Sequence, residues 1–205
     1  MLKLYYAKGT VALATHITLL ECEADFEAIE VDFAANQQRG ADYLAINRKG
    51  RVPSLVTDHG TLTETPAILV YLAQTYPDQN LALINDPFAF ARIQSLNSYL
   101  CSTVHVAHAH KSRGARWTDD PNAISAMQAR VTQNMTDGFQ LIEDEILVGP
   151  WAVGEHYCIA DPYLFTVTRW AIRDDVDIAQ FPKVAEHFSR MQARPATKTA
   201  MLSHT

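Results

Sequence analysis

The rhythm of apolar and polar positions changes near residue 80. Before that point, short apolar runs alternate with helical spacings. Leu2–Tyr6 is apolar and aromatic and predicts a buried strand, which Gly9 ends. Val11, Leu13, Ala14, Ile17 and Leu20 recur at helical spacing and predict a helix over Thr10–Glu21. Phe26–Phe33 alternates, with Glu27, Glu30 and Asp32 between apolar residues, and predicts a second strand. Asn36–Asn47 is polar around Gly40 and predicts a short or irregular helix. Val52–Thr57 reads as a third strand and Thr61–Leu62 as the start of a fourth. His59–Gly60 makes the turn between them, with Gly60 supplying the positive φ such a hairpin needs. Thr65–Tyr76 is then a helix, with Thr65 as its cap and Pro66 at the first helical position. The order is β-α-β-α-β-β-α, a parallel pair followed by an antiparallel hairpin.

Pro77–Pro87, with Asp78, Asn80, Asn85 and Asp86, has a linker's composition, and beyond it strand signals stop. Phe88–His110 is a long helical pattern. Asp120–Pro121 caps and opens another that runs to about Leu147. Ile159–Arg173 is apolar enough to be the buried central helix. Pro182 opens a further helix, and Arg194–Pro195 separates it from a short last turn. The expected organisation is an α/β domain over 1–78, a linker over 79–86 and an all-helical domain over 87–205.

Composition narrows the class. Hydrophobic residues make up 48% of the 205 and charged residues 20%, which excludes a disordered chain. A net charge of −6 argues against a nucleic-acid face. No apolar run is long enough for a membrane span, and MLKLYYAKG reaches Gly9 too soon for a signal peptide. Cys22, Cys101 and Cys158 are odd in number and widely spaced, which fits a reducing cytoplasm rather than a disulfide framework.

Five segments then carry a resemblance: KLYYAKG, INRKGRVPSLV, LTETPAILVYLA, CIADPYLFTVTRWA and FSRMQARPA. In this order over nearly the whole chain, they resemble the glutathione transferases, the bacterial beta class most closely. The resemblance implies a thioredoxin-like first domain, glutathione as co-substrate, a small hydrophobic electrophile bound between the domains, and a cytoplasmic homodimer.

It also implies site residues. Val52 would pair through its backbone with the peptide of glutathione, and Pro53 resembles the family's cis-proline. Thr65, with free N–H groups at a helix start, would cradle the γ-glutamyl carboxylate, since such termini hold anions. Glu64 would take the ammonium and Arg51 a carboxylate. His105 aligns with the histidine that the class carries on the first helix of its helical domain. It would donate to the thiolate or exchange protons. His108 and His110 follow it, and no metal is expected from the three.

One departure bears on mechanism. The class carries a cysteine two residues after the first-loop glycine, and here Val11 stands there. The class's lysine after the second strand is missing from Phe33–Gln38 too. Thr10 and Tyr6 are the candidates to meet sulfur instead. Tyr5 points to the opposite face from Tyr6. Cys22 and Cys101 read as packed thiols; Cys101 lies one turn before His105, and its alternative is to face the cleft between the domains. Cys158 occupies the hydroxyl position of the capping box whose acid is Asp161, and a sulfur there is a weak acceptor. The expected activity is transfer of glutathione to an electrophile. The alternatives are a glutathione-binding protein with little turnover, or a glutathione-dependent lyase, reductase or isomerase on this scaffold.

Overall fold

A computed structural model describes residues 1–204. The strands are β1 (Leu2–Tyr6), β2 (Phe26–Glu30), β3 (Ser54–Thr57) and β4 (Gly60–Thr63), in the sheet order β2-β1-β3-β4. β1 runs parallel to β2, with Leu4 opposite Ala28, and antiparallel to β3, with Leu4 opposite Leu55. β4 closes the hairpin, and Gly60 at its turn has φ +125. The helices of this half are α1 (Ala12–Glu21), α2 (Ala41–Ile46) and α3 (Thr65–Thr75). This is the thioredoxin-like arrangement that the alternation of patterns implied.

Two strand boundaries differ from expectation for local reasons. β2 stops at Glu30 because Asp32 turns the chain, its carboxylate accepting from the N–H groups of Ala34 and Ala35. β3 starts only at Ser54, because the Val52–Pro53 peptide before it is cis and unpaired. Thr65 lies inside α3 rather than capping it. The residue before the helix is Glu64, at φ +73, a conformation that side chains rarely adopt.

The remaining elements are helical: α4 (Pro87–Tyr99), α5 (His105–Arg113), α6 (Pro121–Ala129), α7 (Val131–Leu141), α8 (Ala160–Arg173), α9 (Pro182–Ala193) and α10 (Pro195–His204). Asp86 and Asp120 cap α4 and α6 through backbone N–H groups, as their placement before proline implies. The long pattern at 88–110 is two helices joined by a π turn over Leu100–Val104. The pattern from 121 is broken at Arg130 and ends in a second π turn, Ile142–Ile146. The expected short last turn is the ten-residue α10, which packs on α1.

One continuous core joins the two halves. Leu4, Leu55, Ile68, Leu69 and Leu72 from the sheet side merge with Leu96, Leu100, Tyr163, Leu164 and Val167. The segment of linker composition is anchored as well. Leu81 and Ala82 are buried, and the Leu81 carbonyl accepts from Ile159 N–H at 2.8 Å, at the entrance to α8.

α8 is buried along most of its length. Its start is fixed by Asp161, whose carboxylate accepts from the N–H groups of Cys158 and Ala152, each at 2.7 Å. The same carboxylate meets Nε2 of buried His187 at 2.8 Å. The acid half of the predicted capping box is therefore in place, and Cys158 beside it is fully buried.

Candidate active site

A cleft of about 340 Å³ lies between the first loop, the Arg51–Pro53 turn, the start of α3, and helices α5 and α8. It is lined by seven of the eight residues expected at the site: Thr10, Arg51, Val52, Pro53, Glu64, Thr65 and His105. They come from four separate stretches of chain, which only the fold brings together.

The exception is Tyr6. Its ring is buried under α1 and α10, where it packs on His204 (4.8 Å between centroids) and His16 (5.8 Å). It is buried away from the cleft and is not one of its lining residues. The expectation that Tyr6 meets sulfur is thus corrected: the ring is enclosed by His16 of α1 and His204 of α10 instead of lining the cleft. Tyr5, on the opposite face, packs edge-on against Tyr43.

The first loop is tied down from both domains. Trp170 of α8 donates its indole N–H to the Gly9 carbonyl at 3.0 Å. Thr10 donates its hydroxyl to the Ala7 carbonyl at 2.7 Å and its N–H to the same oxygen at 3.3 Å. Both donors of Thr10 are thereby engaged within the loop. The Val11 N–H, at the entry to α1, has no acceptor among the described residues, and Val11 lines the cleft. A free amide at a helix start favours negative charge.

The Val52 edge is equally open. Neither its N–H nor its carbonyl is hydrogen-bonded among the described residues. Behind it, Tyr43 and Asn47 both donate to the Arg51 carbonyl at 2.7 Å and meet Ser54 Oγ at 3.0 Å, which rigidifies the turn. Thr65 is buried at the first turn of α3. Glu64 accepts from Lys49 Nζ at 2.5 Å, and that amine also donates to Thr63 Oγ1 at 2.8 Å. The pair is about half exposed, so a ligand's ammonium can replace the lysine at little cost.

The helical wall carries His105, half-buried, with its ring edge-on to Trp170 at 4.8 Å. Burial pushes its pKa down to about 4, and the neighbouring Arg113, His108, Arg51 and Arg116 side chains push in the same direction. His105 is therefore neutral at pH 7, able to donate one N–H or accept a proton. His108 stacks on the same indole at 4.5 Å and bonds Asp174 through Nδ1 at 2.6 Å. His110 lies edge-on to Trp117.

Several lining residues were not expected from the sequence. Lys49 sits in the RKG run before Arg51, next to residues already singled out. Arg113 continues the four-residue spacing of His105 and Ala109, and Arg116 follows one turn later; that spacing is the signal that would have found them. Tyr163 lines the cleft too, and so does Cys101, the second of the two placements its position before His105 allowed. Burial lowers the basicity of both guanidinium groups, Arg51 adding to it at Arg113 and Arg113 at Arg116.

In short, the cleft offers an unpaired backbone edge, a helix start, an acid for an ammonium, and an unengaged amide at a second helix start. These are the needs of a small peptide bearing carboxylates, an amine and a thiol. Comparisons with known proteins agree. Residues 1–74 match the family described as glutathione S-transferase, N-terminal domain. Glutathione S-transferase GstA of Escherichia coli O157:H7 is 34% identical over 98% of this chain and 97% of its own. A Sulfitobacter glutathione transferase homologue, solved with glutathione bound, superposes with a TM-score of 0.95 at 42% identity, over 98% of this chain and 97% of that one. The bacterial beta class enzyme of Sphingomonas chungbukensis gives 0.86 at 30% identity, over 98% of each chain. With fold, cleft and near full-length identity in agreement, this chain belongs to the glutathione S-transferase family.

Proposed function

We propose that the protein binds glutathione along Val52 and the start of α3 and transfers it, as thiolate, to a small electrophile held against α5. The observation that carries this reading is the convergence of Val52, Glu64 and Thr65 with the open Val11 amide in one cleft. The unpaired Val52 backbone suits the cysteinyl peptide group. The buried Thr65 hydroxyl and the helix start behind it suit the γ-glutamyl carboxylate. Glu64 exchanges Lys49 for the ligand's ammonium, and Arg51 meets the remaining carboxylate.

Sulfur then falls near the first loop. A valine side chain contributes nothing to a thiolate, but its backbone N–H does. Charge stabilisation at a helix start lowers a thiol's pKa. Thr10 acts by holding the loop in shape, and Trp170 by pinning Gly9. Neutral His105 faces the sulfur from the opposite wall as a hydrogen-bond donor. Val106, Ala109, Trp117 and Phe33 supply apolar surface for the electrophile. A cytoplasmic homodimer is part of the same reading; no described helix is long and apolar enough to cross a membrane.

The test is steady-state turnover of a neutral aryl chloride beside a glutathione-binding isotherm. Turnover above the uncatalysed rate, with saturable glutathione, supports the reading. Tight binding without turnover leaves only a glutathione-binding protein. No binding at all removes the roles of Val52, Glu64 and Thr65 together.

A further inference from the structure

The cleft and the hollow that adjoins it are unusually cationic for this chain. Arg51, Lys49 and Arg116 line both, Arg113 lines the cleft, and Arg39 and Arg48 line the hollow. Six of the seventeen lysines and arginines of a chain with net charge −6 thus meet at one opening, against a single lining acid, Glu64.

Their partners are unevenly distributed. Lys49 has Glu64. On the helical wall, Lys111 has Asp174 at 3.2 Å and Asp175 at 3.9 Å. Among the described residues, Arg113 and Arg116 have no carboxylate within ion-pair distance, and no side-chain hydrogen bond engages either guanidinium group. Arg113 is half-buried in that state, and desolvation there disfavours its charge. A guanidinium group held partly out of water without a counter-ion is costly, and an incoming anion relieves that cost.

In the proposed pose, the charged groups of glutathione are matched without this pair. In that pose the peptide pairs with Val52, the γ-glutamyl carboxylate with Thr65, the ammonium with Glu64 and the other carboxylate with Arg51. Arg113 and Arg116 stand on the other wall, at the end of α5 and the turn after it, beside the apolar Val106, Ala109 and Trp117. A planar guanidinium fork matches a carboxylate in geometry as well as charge.

We infer that the electrophile is itself an acid: an apolar or aromatic group carrying a carboxylate that Arg113 and Arg116 bind while the reactive carbon faces the glutathione sulfur. This rests on the transferase reading and names its substrate class. For an aryl chloride the step balances simply. The thiolate forms a carbon–sulfur bond at the ring carbon, chloride leaves with the bonding pair, and the proton lost earlier from the thiol goes to solvent. The carboxylate takes no part in bond changes and serves only to bind and orient.

The experiment compares a chlorodinitrobenzoate with the matching neutral chlorodinitrobenzamide. Each kcat/KM is divided by the uncatalysed rate with glutathione in buffer. Wild-type protein is expected to favour the benzoate by about tenfold or more, the preference one charged hydrogen-bonded pair supplies. Arg113→Gln and Arg116→Gln should each lower that ratio, and the double variant should bring it near one. A wild-type ratio of one or less overturns the inference with no variant needed. So does a ratio unchanged in the variants, because arginines that merely hold glutathione would slow both reactions alike. Turnover of the amide with no benzoate preference sinks the acid-substrate inference alone, whereas turnover of neither sinks the transferase reading with it.

Discussion

Thr10 directs its hydroxyl and its N–H at one carbonyl, that of Ala7, and so shapes the loop that presents the Val11 amide. On the proposed reading, removing the hydroxyl loosens that loop and deletes no sulfur contact. Thr10→Ala should lower kcat/KM by about tenfold at most, the worth of one neutral hydrogen bond, and Thr10→Ser should restore it. The pKa of bound glutathione should move little. A rise of a full unit in Thr10→Ala would instead mean that the hydroxyl touches sulfur. Sequence reading located this loop but could not choose between Thr10 and Tyr6. What encloses Tyr6 is α10, from the far end of the chain, and no local pattern encodes that contact. Arg51, Val52, Pro53, Glu64 and Thr65, which line one cleft, were singled out through the resemblance carried by INRKGRVPSLV and LTETPAILVYLA. Arg113 and Arg116 were not, because a basic helix end is ordinarily a solvated face.

The helices are held by local devices that sequence shows unevenly. Asp86–Pro87 and Asp120–Pro121 announce helix starts, and both cap as read. The π turn at Leu100–Val104 has no proline or glycine to mark it, so the helix reads as unbroken. Its effect is to reset the face of α5 just before His105. The capping box of α8 shows how uneven the two halves of one device are. Asp161 holds three donors in a buried site, so Asp161→Ala should cost about 3–5 kcal/mol in urea denaturation, because it leaves those buried donors unpaired. Cys158→Ser puts a stronger acceptor at the same helix start and should leave stability equal or raise it by up to about 1 kcal/mol. A clear fall in Tm for Cys158→Ser would mean that the sulfur's packing matters more than its capping.

Taken together, the two halves share one core, and α10 returns from the far end of the chain to cover α1. That contact buries a histidine pair, His16 Nδ1 lying 3.3 Å from His204 Nε2. Burial holds His16 down to about 4 and His204 to about 3, as it holds His105 to about 4. All three are neutral when folded but protonate near 6.5 when unfolded. The unfolded state therefore binds more protons below 6.5, and stability falls as pH drops from 6.5 toward 4. Each such group costs about 1.4 kcal/mol per pH unit in that window. Tm should decline from pH 6.5 to pH 5, and less steeply in His204→Phe; equal slopes would contradict the buried pair. None of this was legible beforehand, because residues 188 positions apart meet only through the fold.

The central claim is that this cleft binds glutathione as thiolate with no cysteine at position 11, through the start of α1. Its most direct measurement is an ultraviolet difference titration of glutathione bound to the wild-type protein. The account predicts a thiol pKa at least about one unit below the free thiol's value near 8.5. Saturating binding with an unshifted thiol pKa would contradict it.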